Sequence, residues 1–168
     1  MALKQFASGS SGVVATPTGN GRFQTQIDFR GGAIFADEPV EVGGDATGPT
    51  PYEMLSAALA ACTAMTLRLY AGRKEWELPP LSVEVAHSLV PGNPPRDRFT
   101  RRIEFKGAME AERRERLLEI ADRCPVHKTL MRGFEVVTEA VETPVPLPPL
   151  EPRRQHMVDM ERACEEAA

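Results

Sequence analysis

The stretch PYEMLSAALAACTAMTLRLYAGRK, Pro51–Lys74, decides the fold. It is built almost wholly from strong helix formers. Thr50 in front of it is a natural N-cap, Pro51 suits the first helical position, and Glu53 lies three residues after the cap, as in a capping box. Gly72, with Arg73 and Lys74 beside it, fits a C-terminal stop. Between Met54 and Leu69, apolar residues occupy nearly every side of the helix. A helix that is apolar all round has to be buried all round. In a small domain this predicts a central helix wrapped by a sheet or covered by a partner subunit. The most apolar run, Met54–Leu67, is about 14 residues, short of the roughly 20 that span a bilayer, and reads as a core helix.

Working outward, the N-terminal residues 1–21 are rich in Gly, Ser and Thr and read as loose at the start, with Val13–Ala15 able to begin an edge strand. In Arg22–Phe29 (RFQTQIDF), Phe23, Thr25, Ile27 and Phe29 alternate with polar neighbours, the pattern of a half-buried strand. Gly31-Gly32 makes a turn into a second short strand, Ala33–Ala36. Asp37–Pro51 carries three Gly and three Pro and reads as a long loop. Beyond the helix, Leu81–His87 and Phe99–Phe105 read as a hairpin with a long Pro- and Gly-containing tip. Ala108–Arg123 is a charged helix with an apolar stripe, and Pro125–Arg132 a short helix stopped by Gly133. Phe134–Val141 (FEVVTEAV) reads as a last strand. The order of elements is not a regular β-α-β alternation, which favours an α+β fold. The domain covers residues 1–143, followed by a Pro-rich linker, 144–152, and a polar helical tail, 153–168.

At 168 residues the chain is one domain with room for a core, and 42% apolar residues place it among ordinary globular chains. A net charge of −4 and a pI near 5.5 speak against nucleic-acid binding, which needs a basic surface. Three cysteines are too few for a secreted disulfide scaffold and point to a reducing compartment. The N-terminus has no apolar signal-peptide core, so the cytoplasm is the expected location, with no membrane association.

Two cysteines occupy places where chemistry can occur. Cys62 sits midway along the apolar helix, where burial raises a thiol's pKa and a packing role competes with a chemical one. Cys124 directly precedes Pro125, where free N–H groups and the helix dipole favour a thiolate, with Arg123 and Lys128 close in sequence. A capping or packing role is the alternative. Cys164 lies in the polar tail and reads as incidental. Cys124 and His127 form C-x-x-H, half of a zinc site. His87 and His156 stand isolated and no C-x-x-C exists, so a structural zinc site is not expected. Glu53, nine residues before Cys62, lies about 13 Å along the helix axis on roughly the opposite side and cannot touch it within one helix.

The segment GGDATGPTPYEMLSAALAACTAMTLRLYA (43–71), followed about 60 residues later by RCPVHKTL (123–130), resembles the OsmC/Ohr family, in its OsmC-like branch. The resemblance covers roughly Arg22–Val141. It implies an intertwined α+β homodimer with long central helices wrapped by antiparallel sheets, and active sites at the dimer interface. It also implies a thiol-dependent peroxidase acting on organic hydroperoxides. By motif position Cys62 matches the peroxidatic cysteine, Cys124 the resolving cysteine and Glu53 a catalytic glutamate. The implied chemistry is a sulfenic acid at Cys62, a Cys62–Cys124 disulfide, and reduction by a small-molecule or protein thiol, and it needs neither metal nor organic cofactor. An apolar wall, with Met54, Leu55, Met65 and Phe residues as candidates, would favour alkyl peroxides. One departure bears on reactivity. The family places an arginine beside the peroxidatic thiolate, from the region ahead of the helix, yet Asp37–Thr50 holds none. Arg22 and Arg30 are the candidates. Without one, the resemblance leaves room for an OsmC-like protein of weak or different thiol reactivity that binds an apolar ligand at the dimer interface.

Overall fold

The computed structural model describes residues 12–29, 32–138, 140 and 155–167. They fall into two compact units, one formed by residues up to Pro51 with Val136–Gln155, the other by Tyr52–Glu135 with His156 onward. The Pro-rich linker and Arg30 lie outside the described residues.

The first unit holds a three-stranded antiparallel sheet, β1 (Val14–Pro17), β2 (Thr25–Phe29) and β3 (Gly32–Ala36), in that order. All three strands were legible from alternation and Gly punctuation, though β2 begins at Thr25 rather than Arg22. The following loop, which includes a 3₁₀ turn at Val40–Val42, is tied around one buried carboxylate. Asp37 Oδ2 accepts from the Thr47 hydroxyl (2.7 Å) and from the backbone N–H groups of Asp45 and Thr47, while Oδ1 accepts from Glu38 N–H. These bonds, the Thr47 hydroxyl foremost, hold its pKa below the ordinary carboxylate value. Gly44 and Gly48 leave no room for a Cβ, against the backbone of Glu38 and Phe35 respectively. The glycines noted in the sequence therefore let the chain pack on itself.

The second unit is built on α1 (Pro51–Arg73), the hairpin β4 (Leu81–Val90) and β5 (Arg96–Phe105), α2 (Ala111–Ala121), α3 (Pro125–Arg132) and α4 (Gln155–Glu165). The hairpin pairs Leu81 with Phe105 and His87 with Phe99, so one face carries Leu81, Val83, Val85, His87, Phe99, Arg101, Ile103 and Phe105. That face, α1, α2 and α4 enclose a core of Leu67, Tyr70, Phe105, Leu117, Ile120, Ala121 and Cys164.

Helix α1 is 23 residues, about 34 Å long, and by length and composition alone could cross a bilayer. The apolar run in the sequence understated this. Its burial, however, has a clear helical period. Ser56, Leu59, Cys62, Thr63, Thr66, Leu67 and Tyr70 face inward, and Ala57, Ala58, Ala61, Met65 and Arg68 face outward. Hydropathy lacks that period because polar residues lie on the inner stripe. Each satisfies its hydroxyl on the carbonyl four residues back, Ser56 on Tyr52 (2.9 Å), Thr63 on Leu59 (2.8 Å) and Thr66 on Cys62 (2.8 Å). The helix also passes its expected stop at Gly72. The left-handed residue is Glu75 (φ 54°), after which Trp76 N–H bonds Ala71 O (2.9 Å) and the indole meets Tyr70 edge-on.

Two further expectations are corrected. Of the strand expected over 134–141, residues 139 and 141 lie outside the described residues; residues 134–138 form no strand and pair with none among the described residues, and Phe134, Val136 and Val137 stand exposed. The tail is not merely polar. Met160, Ala163, Cys164 and Ala167 form a buried stripe, so Cys164 is a core residue whose thiol burial holds above its usual pKa.

Candidate active site

Cys62 and Cys124, 62 positions apart in the chain, lie together in one buried cluster. Both are free thiols, 2% and 0% exposed. Leu59, Val85, Phe99, Val126 and Leu130 surround them. Cys124 is the N-cap of α3, and Pro125 at the first helical position removes an N–H that would have had no partner. The next two N–H groups are then free to serve sulfur. Val126 N–H donates to Cys62 Sγ (3.4 Å) and His127 N–H to Cys124 Sγ (3.4 Å). One helix N-terminus thus serves both thiols.

The two sulfurs differ in proton affinity. Cys124 is drawn down to about 6, first by the hydrogen bond from Cys62, then by His127 N–H and the charge of Arg101, against the opposing effect of burial. Cys62 is pushed well above the usual thiol range, first by the same hydrogen bond and then by burial, with Val126 N–H acting the other way. Cys124 stands at the start of α3 and Cys62 is buried in mid-helix, where the sequence placed them.

The guanidinium beside the pair is Arg101, on β5. It donates to Thr63 Oγ1 (3.0 Å), Ala121 O (2.9 Å) and Asp122 Oδ1 (2.6 Å). Thr63 in turn gives its single proton to Leu59 O and lies 3.7 Å from Cys124 Sγ. The sequence signal was present. Alternation in FTRRIEF puts Arg101 on the same face as Phe99, Ile103 and Phe105, a charge at an inward position. Arg22, the sequence candidate, belongs to the first unit, where its guanidinium lies 5.0 Å over the Phe23 ring. Glu53 is exposed on the first turn of α1.

His156, read as isolated, is not. Its Nε2 lies 3.2 Å from Cys62 Sγ, carried there by α4. No local pattern announces this contact, because it spans 94 residues of chain. His87 stacks on Tyr52 (4.0 Å), leans on Phe99 (5.0 Å) and hydrogen-bonds Asp97 (2.7 Å). His127 has its pKa lowered, by burial first and Arg101 second.

A cleft of about 410 Å³ adjoins the pair, sharing Leu59, Phe99 and Leu130 with its surroundings. Its walls are mainly apolar, with Asp97 and His127 at polar points. Of the wall residues expected from sequence it uses Leu55 and two phenylalanines, Phe99 and Phe134. Met131 takes the place expected for Met54 and Met65.

A family model described as OsmC-like protein matches residues 43–139, more than half of the chain. The chain belongs to the OsmC-like family. A search of curated proteins gives no match. Among solved structures, the chain is similar to an osmotic stress induced and detoxification response protein from Psychrobacter arcticus (21% identity, 74% of this chain and 90% of that chain, TM-score 0.61). It is also similar to the organic hydroperoxide resistance protein OsmC from Legionella pneumophila (20%, 76% and 92%, 0.58) and an OsmC like protein from Mycoplasma pneumoniae (21%, 74% and 89%, 0.57). At these identities the likeness establishes the fold, the α+β OsmC fold anticipated from the sequence.

Proposed function

We propose that this protein is a cysteine-pair peroxidase that reduces organic hydroperoxides to alcohols. The observation that carries the reading is the contact of Cys62 with Cys124, both capped by α3 and bordered by an apolar cleft. Family membership and the hydroperoxide resistance named for the Legionella relative support the same chemistry.

In the first step Cys62 sulfur forms a bond to one peroxide oxygen as the O–O bond breaks. The sulfur is oxidised to a sulfenic acid, the peroxide is reduced, and the thiol proton leaves with the alcohol. The Cys124 thiolate then attacks the sulfenic sulfur and expels hydroxide, which a proton converts to water. Two cysteines packed in one cluster have a short path to a disulfide bond of about 2.05 Å. An external thiol, small-molecule or protein, restores both cysteines through a mixed disulfide. The cleft favours alkyl over hydrogen peroxide, because apolar walls reward apolar substituents. Glu53 belongs to this reading as the catalytic glutamate that the family resemblance implies, and Arg101 supplies the guanidinium beside the pair for which the sequence offered Arg22. A homodimer of soluble, cytoplasmic protein completes it, and the outward stripe of α1, with Met65 53% and Leu55 43% exposed, supports a partner subunit over that helix.

A second reading has its own support in the high proton affinity of Cys62. A protein with the same cleft and a slow thiol would bind an apolar ligand rather than turn over peroxide. Cumene hydroperoxide consumption with a dithiol donor separates the two. Under the first reading Cys62→Ser loses on the order of a thousandfold or more in turnover, and Cys124→Ser completes one oxidation and stalls. Full multiple turnover in Cys62→Ser would sink it.

A further inference from the structure

Helix α4 lies beyond the family match, which ends at residue 139. It is nevertheless firmly docked within the second unit. Met160, Ala163 and Cys164 are buried, Arg73 Nη1 donates to Glu161 O (3.1 Å), Arg123 Nη1 donates to Glu166 O (3.0 Å), and Lys128 pairs with Glu166 (3.3 Å). That docking places His156, in the first turn of α4, with Nε2 3.2 Å from Cys62 Sγ.

Among the described residues, the other groups that meet the Cys62 thiol are the Val126 N–H, the Thr66 hydroxyl and Cys124. The Val126 N–H only donates. Cys124 is the sulfur that closes the disulfide in the second step of the proposed cycle, so a proton parked on it would block that step. An imidazole can both take a proton and give it back.

We propose that His156 is the proton-transfer partner of Cys62, brought to the thiol by docking of α4. The proposal rests on the reading of Cys62 as the oxidised thiol. As the Cys62 sulfur bonds to the peroxide oxygen, the S–H proton passes to His156 Nε2. As the O–O bond breaks, the same proton passes to the departing alkoxide, so the imidazole is unchanged over the step. Sulfur loses two electrons, the peroxide gains them, and no further reactant is needed. The C-terminal helix is then part of the active centre.

The test compares the full chain with His156→Gln, which keeps a nitrogen donor but cannot carry a proton. Site-resolved mass spectrometry follows single-turnover oxidation of Cys62 by cumene hydroperoxide, alkylation of Cys62 by iodoacetamide, and alkylation of Cys164. Cys164 is buried through the docking of α4 and reports whether the helix stays in place. The expected result is a fall of about tenfold or more in both Cys62 rates, within the range general acid–base groups contribute, with Cys164 still protected. A smaller fall with Cys164 protected overturns the proposal. Should Cys164 become reactive, His156→Ala with added imidazole decides. Acceleration of Cys62 modification by imidazole supports the proposal, and none overturns it. If Cys62 of the unmodified chain resists hydroperoxide, the peroxidase reading fails by itself, and the iodoacetamide ratio still decides the role of His156.

Discussion

Cys62 and Cys124 share a buried cluster, a helix N-terminus and nearly complete burial, yet their proton affinities are shifted in opposite directions. The difference lies in what each backbone offers. Cys62 is in mid-helix, where its own N–H and C=O are engaged within α1, and the backbone N–H that reaches its sulfur is borrowed from Val126. Cys124 is at a helix start, where unused N–H groups converge, and Arg101 adds charge from β5. Equal burial therefore gives unequal thiols. The two shifts run in opposite directions, and the proposed two-step oxidation asks different things of the two sulfurs.

The strongest way to break this comparison is to remove the shared hydrogen bond. In the unmodified chain, alkylation of Cys124 should be flat above about pH 7 and fall about tenfold per unit below its value near 6, since only the thiolate reacts. Cys62→Ala removes the largest cause of the lowering. It should move that breakpoint upward by about one to two units, measured as the rate of Cys124 alkylation against pH. An unmoved breakpoint would mean that α3 and Arg101 suffice.

A smaller effect is expected from Arg101→Ala. Arg101 contributes less to the lowering than the hydrogen bond from Cys62, so the Cys124 breakpoint should rise, but by less than in Cys62→Ala. The same change strips donors from Ala121 O and Thr63, with a stability loss of about 1–3 kcal/mol readable by urea unfolding. A larger pKa effect from Arg101 than from Cys62 would reverse that order of causes.

The mildest change is Thr63→Val. It keeps the shape of the side chain but deprives Arg101 of one acceptor. The expected loss is about 1–2 kcal/mol, a fall in Tm of roughly 2–4 °C per kcal/mol for a chain this size. An unchanged Tm would show that Arg101 is held by Asp122 and Ala121 alone.

These residues also mark how far local rules reach. The strands, α1, α3 and the Cys124 cap were legible in the sequence because each rests on alternation, capping or Pro placement. The inner stripe of α1 was not, because Ser56, Thr63 and Thr66 bond to their own helix and escape the rule that polar residues face out. Arg101 was legible in principle, as a charge on the inward face of β5. His156 was not, since its role depends on how a C-terminal helix docks onto a core far away in sequence. Residues 134–138 had the composition of a strand but pair with none among the described residues, and pairing is a tertiary property.

The central claim is that Cys62 and Cys124 form one redox centre. It is tested most directly by adding one equivalent of cumene hydroperoxide to the fully reduced chain and mapping the cysteines by mass spectrometry. The expected result is the loss of two thiols and a Cys62–Cys124 cross-linked peptide, formed faster than with hydrogen peroxide, while Cys164 stays reduced. Unchanged thiols at both Cys62 and Cys124 would contradict it.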